Sequence, residues 1–310
     1  MSRRIVLFMD VNKTIVLFDN GNDTSAAHNV VAQLGKSICH TWDSRVLESY
    51  SSYVRRSLAP GDEVADPALK KRRQVLDNDL LSRFACVPGG MAMQSRYEAM
   101  LLKLDAMHAQ KRIILPSFQR LLSELKSQRY RVAASIVLRS FGPDVSDAFR
   151  EVTETNPHFS QGHFGMFCKG ELRRLASIDD VTAAYSASRV GTERRPLAEV
   201  LAPFPAVDIF TATAELPEGS ISVWSDDYSH WHDSGEIAIA GKPFPVTQEP
   251  LTLFFDDNAE EKEILAPIFS SEYSGESCST TGRIVAVDPV LALECDDYFV
   301  GILRSLGVLE

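Results

Sequence analysis

Two short acidic clusters lie near opposite ends of the chain, and each follows a run of apolar residues. Residues 5–9 precede a segment that begins at Asp10 and reads Asp-Val-Asn-Lys-Thr, and residues 251–255 precede Asp256 and Asp257. Each run is short and rich in β-prone residues, which predicts a buried parallel strand with carboxylates at its carboxyl end. Open α/β sheets bind ligands at that edge, and Mg²⁺ is held by carboxylates, water and phosphate oxygens. The pattern therefore indicates a cation site for phosphoryl chemistry.

The order of these clusters resembles that of the haloacid dehalogenase-like (HAD) hydrolases. The first motif of that family is Asp-x-Asp-x-Thr after the first strand, and residues 10–14 match it except at Asn12. The last motif is an acidic pair after a later strand, which Asp256 and Asp257 match. A helix, a turn and a strand ending at Ser140 match the second motif. The resemblance spans most of the chain and implies an α/β protein with a Rossmann-like core, a parallel sheet and an inserted helical cap domain.

The resemblance implies a nucleophile and a Mg²⁺ site at the first motif. Asp10 would attack the phosphoryl group to form an aspartyl-phosphate, and one of its oxygens would also bind Mg²⁺. The backbone carbonyl of Asn12 would be a second ligand. A third ligand would come from Asp256 or Asp257, and the sequence does not say which of the two points inward.

The same resemblance assigns two further residues to the transferred group. Ser140 would donate a hydrogen bond to a phosphate oxygen. Lys242, in a Gly-Lys-Pro segment before the strand of the last motif, would bridge Asp10 and the phosphate and so offset the repulsion between two anions. Lys169 is the rival for this role, but the family's lysine falls shortly before the last motif, which favours Lys242.

Asn12 departs from the family pattern, because the phosphatases of the family use an Asp there as general acid and base. An amide cannot exchange a proton in this way, and such assistance is typically worth ~10²–10⁴ in rate. Three outcomes stay open: slow cleavage of substrates with good leaving groups, replacement by another residue such as Asp226 or Asp227, or loss of catalysis with retained binding.

Two functions therefore follow from the sequence as expectations. The first is a Mg²⁺-dependent phosphatase that acts on a small phosphorylated compound through Asp10. The alternative is a catalytically impaired HAD-like scaffold that binds a phosphate ligand or a protein partner. Dehalogenase chemistry needs no metal, and the acidic pair at Asp256 and Asp257 disfavours it.

The composition limits the class of partner. The chain has 310 residues, 45% of them hydrophobic, which is enough for one large domain or two. A net charge of −10 disfavours nucleic-acid and anionic-membrane partners. Five scattered cysteines without a Cys-x-x-Cys spacing disfavour disulfides and structural zinc, and no apolar stretch approaches the ~20 residues of a membrane span. These features predict a cytoplasmic protein with no nucleic-acid or membrane partner.

The insertion between the first two core strands is predicted to be a helical cap. We assign residues 1–19 and 112–310 to the core and residues 20–111 to the cap. Apolar residues at three- and four-residue spacing predict helices in the insertion over residues 26–39, 43–56, 67–84 and 95–108. The insertion is too long for a single crossover, which favours a cap over helices that simply pack on the sheet.

Further elements are predicted on either side of the insertion. A second β-prone run at residues 14–18 and a turn at residues 19–23 correspond to the flap that the resemblance implies. The predicted core elements are helices at 116–125, 145–153, 196–201 and 298–306 and strands at 131–138, 221–224 and 283–287. Residues 144–218 are predicted to be an elaboration of the cap or of the sheet edge.

Overall fold

The computed structural model describes residues 3–17, 26–62, 66–84, 87, 90–127, 131–189, 194–259, 264–269, 280 and 282–310. The turn predicted at residues 19–23 lies outside these ranges. Within them the protein has a mixed α/β fold with a mostly parallel central sheet. The α/β part of the fold prediction is confirmed.

The secondary structure of the described residues alternates between strands and helices along most of the chain. The strands are β1 (Arg3–Asp10), β2 (Cys39–Thr41), β3 (Leu47–Ser49), β4 (Val132–Ser140), β5 (Ser160–Cys168), β6 (Glu171–Leu175), β7 (Ala206–Val207), β8 (Ser220–Ser225), β9 (Lys242–Val246), β10 (Leu251–Asp256), β11 (Leu265–Phe269) and β12 (Ile284–Ala286). The helices are α1 (Ala26–Ser37), α2 (Tyr50–Tyr53), α3 (Pro67–Asn78), α4 (Leu80–Phe84), α5 (Gly90–Ala109), α6 (Pro116–Ser127), α7 (Asp144–Thr155), α8 (Ile178–Arg189), α9 (Leu197–Leu201), α10 (Ile209–Ala214), α11 (Tyr228–Asp233), α12 (Pro289–Glu294) and α13 (Tyr298–Ser305). None of the described helices has both the length and the apolar character needed to cross a bilayer.

The central sheet of the described residues has the strand order β12-β10-β1-β4-β8-β5-β6-β7. From β12 to β5 the neighbours are parallel, and β6 and β7 continue the sheet in antiparallel fashion. The chain leaves β1 for β4 on one side and returns later to β10 on the other side. Since the direction of the strand order reverses at β1, its carboxyl end is the switch point at which open α/β sheets bind ligands.

The inner strands contact apolar side chains on both faces of the sheet. Alternate residues of β1 belong to different hydrophobic clusters, the larger containing Ile5, Leu7 and Met9 and the smaller Val6 and Phe8. This alternation follows from the two-residue period of a strand. It explains why the sequence of β1 is continuously apolar, since a strand covered on both faces has no polar side.

Two element predictions fail in whole or in part. Of the helix predicted over residues 43–56, only residues 50–56 are helical, in α2 and the π-helical turn that follows it, whereas residues 47–49 form β3, the second strand of a hairpin with β2. Val46 and Leu47 contribute to the helical spacing, but they are 43% and 72% exposed and form no buried helix face. The β-prone run at residues 14–18 forms no strand in its described part, where Val16 makes only isolated bridges.

The elaborated segment at residues 144–218 extends the edge of the sheet. Within it β5 adds to β8 in parallel, and β6 and β7 follow in antiparallel order. Helices α7 and α8 contribute Val145, Phe149 and Val181 to the larger hydrophobic cluster. Of the two expectations for this segment, the sheet-edge one agrees with the structure, and it means that the sheet is not parallel throughout.

The helices of the insertion share a hydrophobic cluster with the sheet. Leu34 of α1 and Leu104 of α5 belong to the same cluster as Ile5, Leu7 and Met9 of β1. An ion pair between Arg96 and Glu294 also joins α5 to α12. The division of the chain into a core and a cap stays a prediction.

Candidate active site

The carboxyl ends of β1, β4 and β10 bring three predicted site residues to one edge of the sheet. Asp10 ends β1 and is in register with Arg139, the residue before Ser140 at the end of β4. On the other side of β1, strand β10 ends with Asp256. The three strands are adjacent and parallel, so these side chains emerge at the switch point of the sheet.

The turn after β1 links the first acidic cluster to the second. Lys13 has a positive φ of 62°, which is uncommon for a residue with a side chain. The turn brings Thr14 back to Asp10, where the Thr14 hydroxyl donates to Oδ2 of Asp10 at 3.5 Å. The same hydroxyl accepts the backbone N–H of Asp257 at 3.2 Å. Thr14 therefore fixes the two acidic clusters relative to each other.

Lys242, the first residue of β9, lies between two carboxylates. Its Nζ is 2.5 Å from Oδ1 of Asp10 and 2.7 Å from Oδ2 of Asp256, and all three residues are buried. Burial favours the neutral amine, but the carboxylates of Asp10, Asp256 and Asp226 together hold the pKa of Lys242 above its usual value. Lys242 is thus a fixed positive charge at physiological pH.

Asp10, Asp256 and Asp257 form a carboxylate cluster with oxygens that lie within 4.8 Å of one another. Burial raises the pKa of Asp10 well above its ordinary value, with Lys242 opposing the shift and the two other carboxylates adding to it. Burial and then the charge of Asp256 raise the pKa of Asp257 to about 7. A divalent cation at the cluster would oppose both shifts, because its charge stabilises the ionised carboxylates.

The two members of the acidic pair have different surroundings. Oδ2 of Asp256 accepts from Lys242, and Oδ1 accepts the backbone N–H of Asn258 at 2.8 Å. Oδ1 of Asp257 accepts the side-chain amide of Asn258 at 2.7 Å, whereas its buried Oδ2 has no hydrogen-bond partner among the described residues. A buried polar atom without a partner is costly, and a metal ion would satisfy this one. The oxygen donors of the cluster therefore fit a hard divalent cation, with Asp257 as the better placed ligand of the pair.

A cavity of about 300 Å³ lies beside the carboxylate cluster. Five predicted site residues line it, namely Asp10, Asn12, Ser140, Lys242 and Asp257. Oγ of Ser140 accepts the backbone N–H of Gly142 at 2.8 Å, so its hydroxyl proton can be donated to a bound anion. The cavity thus combines a carboxylate, an ammonium and a hydroxyl donor.

The side chain of Asn12 is held by Asp144, the buried first residue of α7. Nδ2 of Asn12 donates to Oδ2 of Asp144 at 3.1 Å, while Oδ1 of Asn12 is buried and has no hydrogen-bond partner among the described residues. The unsatisfied atom of Asn12 is thus an acceptor. It has no proton to give to a leaving group.

Three other residues weighed in the sequence are not part of the cavity wall. Lys169 is exposed between β5 and β6, and its backbone N–H donates to Oδ2 of Asp227 at 3.0 Å. Asp227 also caps α11 by accepting the backbone N–H of His230 at 3.1 Å. Asp226 is buried in an ion pair with Arg139. Neither Asp226 nor Asp227 is therefore placed to exchange a proton with a ligand in the cavity.

The remaining cavity wall contains residues that the sequence did not single out. The larger side chains among them are Phe141, Tyr185, Arg189, Tyr228 and Trp231. They come from the end of β4, from α8 and from α11, which are distant in sequence, so no spacing pattern connects them. The only local signal was that Phe141 directly follows Ser140.

The arrangement as a whole can bind an oxyanion beside a divalent cation and place the carboxylate of Asp10 next to both. Preorganised charges and hydrogen-bond donors of this kind stabilise the charge that moves during phosphoryl transfer. No family model, no curated protein and no solved structure matches this chain.

Proposed function

We propose that this protein is a Mg²⁺-dependent hydrolase of the HAD-like class, acting as a cytoplasmic phosphatase on a small phosphorylated compound. The observation that supports this most directly is the carboxylate of Asp10. It ends the strand at the switch point, lies 2.5 Å from the ammonium of Lys242 and borders the cavity. The net charge of −10 disfavours nucleic acid as the substrate.

Asp10 acts as the nucleophile in this proposal. One carboxylate oxygen attacks the phosphorus of a bound ester, so that a bond from Asp10 to phosphorus forms while the bond from phosphorus to the alcohol oxygen breaks. Water then cleaves the aspartyl-phosphate and restores the carboxylate. The net reaction consumes one water molecule and yields the alcohol and inorganic phosphate.

Lys242 and Ser140 act on the phosphoryl group. The ammonium of Lys242 holds Asp10 in place and offsets the repulsion between this carboxylate and the phosphate. Because Lys242 is already held by Asp10 and Asp256, its charge is positioned before a substrate binds. Ser140 donates its hydroxyl proton to a phosphate oxygen.

Asp10, Asp257 and the backbone carbonyl of Asn12 would hold the Mg²⁺ ion, whereas Asp256 holds Lys242. When bound, the ion neutralises charge on the phosphate oxygens. The unpartnered Oδ2 of Asp257 and the raised pKa values of Asp10 and Asp257 support this assignment.

The hydrogen bond between Asn12 and Asp144 favours a second candidate, a catalytically impaired scaffold that binds a phosphate ligand or a protein partner. Asn12 has no acidic proton, so an alkoxide would leave without help from this position.

For the phosphatase function, the same feature sets the order of substrates. The aryloxide groups of aryl esters leave as weaker bases and depend less on a general acid. We therefore propose slow turnover of alkyl phosphates and faster turnover of aryl phosphates.

A panel of phosphate esters assayed with Mg²⁺ and with EDTA separates the two functions. A phosphatase releases phosphate from aryl esters in Mg²⁺ and loses this activity in EDTA and in the Asp10→Asn variant. Asp208→Asn is a matched control, because Asp208 caps α10 and does not line the cavity. If no ester is hydrolysed while Mg²⁺ and inorganic phosphate bind in calorimetry, the scaffold function is correct.

A further inference from the structure

The cationic side chain of Arg189 belongs to the cavity wall but has no role in the proposed chemistry. Arg189 is the last residue of α8, in the segment that extends the sheet edge. It lines the same cavity as Asp10 and Lys242. Among the described residues no carboxylate forms an ion pair with Arg189, in contrast to Arg139, Arg150, Arg173 and Arg174. A guanidinium at a ligand cavity without a protein carboxylate is suited to bind an anion from solution.

The position of the Arg189 guanidinium is fixed by contacts that, within the described part of the chain, leave most of its donors unused. Nη1 donates to the backbone carbonyl of Phe141 at 2.8 Å. The guanidinium carbon lies 5.2 Å from the ring centre of Tyr185 and 5.5 Å from that of Tyr228, which is cation–π distance. A guanidinium carries five N–H donors, and the carbonyl of Phe141 uses one of its nitrogens. Arg189 is thus oriented before a ligand arrives.

Phe141 connects Arg189 to the reacting groups. Its carbonyl accepts from Arg189, and its ring centre lies 5.2 Å from Nζ of Lys242. Phe141 also directly follows Ser140, the proposed phosphate donor. Phe141 therefore contacts both Arg189 and Lys242, and all three residues line the same cavity.

The size of the cavity limits what can bridge these two positions. A volume of about 300 Å³ is at the lower end of the range of roughly 300–1,000 Å³ for small-molecule sites. Such a cavity is suited to a compact molecule with two anionic groups.

We propose that Arg189 determines specificity by binding a second anionic group of the substrate, a carboxylate or a second phosphate, next to the phosphate that is cleaved. This rests on the proposed phosphatase function and names its substrate class, which is small phosphate esters with an additional negative charge. The role suits arginine rather than lysine, because a planar guanidinium stacks on Tyr185 and Tyr228 while it binds an oxyanion with two parallel hydrogen bonds.

A matched pair of substrates tests this proposal. 4-Carboxyphenyl phosphate and 4-carbamoylphenyl phosphate have nearly the same shape, and only the first has a second anionic group besides its phosphate. We expect kcat/KM of wild type to be roughly tenfold or more higher for the carboxylate than for the amide. The reason is that hydrogen bonds between a guanidinium and a carboxylate are stronger than those to a neutral amide. The value of kcat/KM for 1,4-phenylene bisphosphate then shows whether a second phosphate serves as well as the carboxylate.

Variants assign the preference to a residue. Arg189→Gln should bring the ratio between the carboxylate and the amide close to one, and Arg189→Lys should retain part of it. Arg174→Gln is the matched control, because Arg174 pairs with Glu215 and does not line the cavity, so the wild-type ratio should persist. Lys13 also lines the cavity, and if Lys13→Ala rather than Arg189→Gln removes the preference, the proposal is wrong.

A binding experiment keeps this inference separate from the phosphatase function. 3-Phosphonopropionate and its carboxamide are not hydrolysed, so their affinities can be measured by calorimetry in Mg²⁺ even if no ester turns over. Tighter binding of the carboxylate by wild type, and loss of this difference in Arg189→Gln, supports the anion subsite. Turnover of aryl phosphates with equal kcat/KM for the matched pair would overturn the subsite and leave the phosphatase function intact.

Discussion

Nζ of Lys242 and Oδ1 of Asp10 lie 2.5 Å apart although 232 positions separate the two residues in sequence. Both residues are buried, and Lys242 also contacts Asp256 at 2.7 Å. The contact ties β9 to the carboxyl end of β1 and holds a positive charge at the cavity. The same ion pair thus joins two distant segments of the fold and lies at the candidate site.

Replacing Lys242 with Met should reduce both activity and stability. The proposed phosphate site loses its ammonium, so kcat/KM for an aryl phosphate should fall by ~10²-fold or more. Asp10 and Asp256 become buried charges without their cation, so the free energy of unfolding in EDTA at neutral pH should fall by about 3–5 kcal/mol. Phosphate release and urea unfolding measure the two effects.

The exposed Lys169 provides the control for this substitution. Lys169→Met should leave the free energy of unfolding within about 0.5 kcal/mol of wild type, as expected for a surface position. If Lys169→Met abolished turnover and Lys242→Met did not, the assignment of the phosphate-binding lysine would be wrong.

The carboxylate cluster should make the metal-free protein less stable as the pH rises. Asp257 has an ordinary pKa of 3.8, which applies to the unfolded chain, and a pKa of about 7 in the fold. Between these values the folded state binds a proton that the unfolded state does not, so the free energy of unfolding decreases from about pH 4 to about pH 7. The raised pKa of Asp10 acts in the same direction.

Thermal unfolding in EDTA and in Mg²⁺ measures this effect. In EDTA the Tm should be lower at pH 8 than at pH 5, and saturating Mg²⁺ should remove most of the difference, because the ion replaces the missing protons. Asp257→Asn should flatten the EDTA profile, whereas Asp208→Asn should not. A Tm that increases from pH 5 to pH 8 in EDTA would contradict the prediction.

Asp256 and Asp257 should respond differently to removal of their charge. Asp257→Asn removes the carboxylate that has an unpartnered oxygen, and we expect Mg²⁺ affinity to fall on the order of tenfold or more. Asp256→Asn removes a partner of Lys242 and should weaken Mg²⁺ binding less, while turnover decreases because Lys242 is held less firmly. Calorimetric titration with Mg²⁺ and phosphate-release assays compare the two variants. The opposite order of Mg²⁺ affinities would make Asp256 the ligand.

The strands that carry the candidate site could be predicted because each is marked by a pattern of neighbouring residues in the sequence. β1 and β10 are covered on both faces, so each has a continuous apolar run, and the polar residues that follow mark the sheet edge. Their meeting at one edge follows from parallel pairing. The positions of Asp10 and Asp256 were therefore accessible from sequence, although their chemical roles stay predictions.

Other features depend on contacts between distant segments and could not be predicted. The helix expected at residues 43–56 rested on apolar residues such as Leu47, which is exposed at the β2–β3 hairpin. Arg189 borders the cavity only because the end of α8 reaches Phe141, the residue after β4, and nothing in its local sequence indicates this. The partner of Asn12 is likewise set by where α7 begins.

Asn12→Asp should convert a slow enzyme into a faster one, and the neighbouring Asp144 determines how. An aspartate at position 12 would place two carboxylates where Nδ2 and Oδ2 are now 3.1 Å apart. Two carboxylates at that distance cannot both ionise easily, so the pair retains a proton to a higher pH than either group alone. A protonated carboxyl beside the cavity can then act as the general acid that wild type lacks.

The gain should depend on the leaving group and on Asp144. For alkyl phosphates kcat/KM should increase on the order of 10²-fold, and for nitrophenyl phosphate it should change little, because that leaving group hardly needs a proton. In the double variant with Asp144→Asn the new carboxyl loses its charged neighbour, so its pKa falls and the alkaline limb of the pH–rate profile shifts to lower pH. Wild-type turnover of alkyl phosphates at the rate of Asn12→Asp would show that another residue donates the proton. If wild type, Asn12→Asp and the double variant all bind Mg²⁺ but hydrolyse no ester, the protein is a scaffold, because a general acid at position 12 then produces no activity.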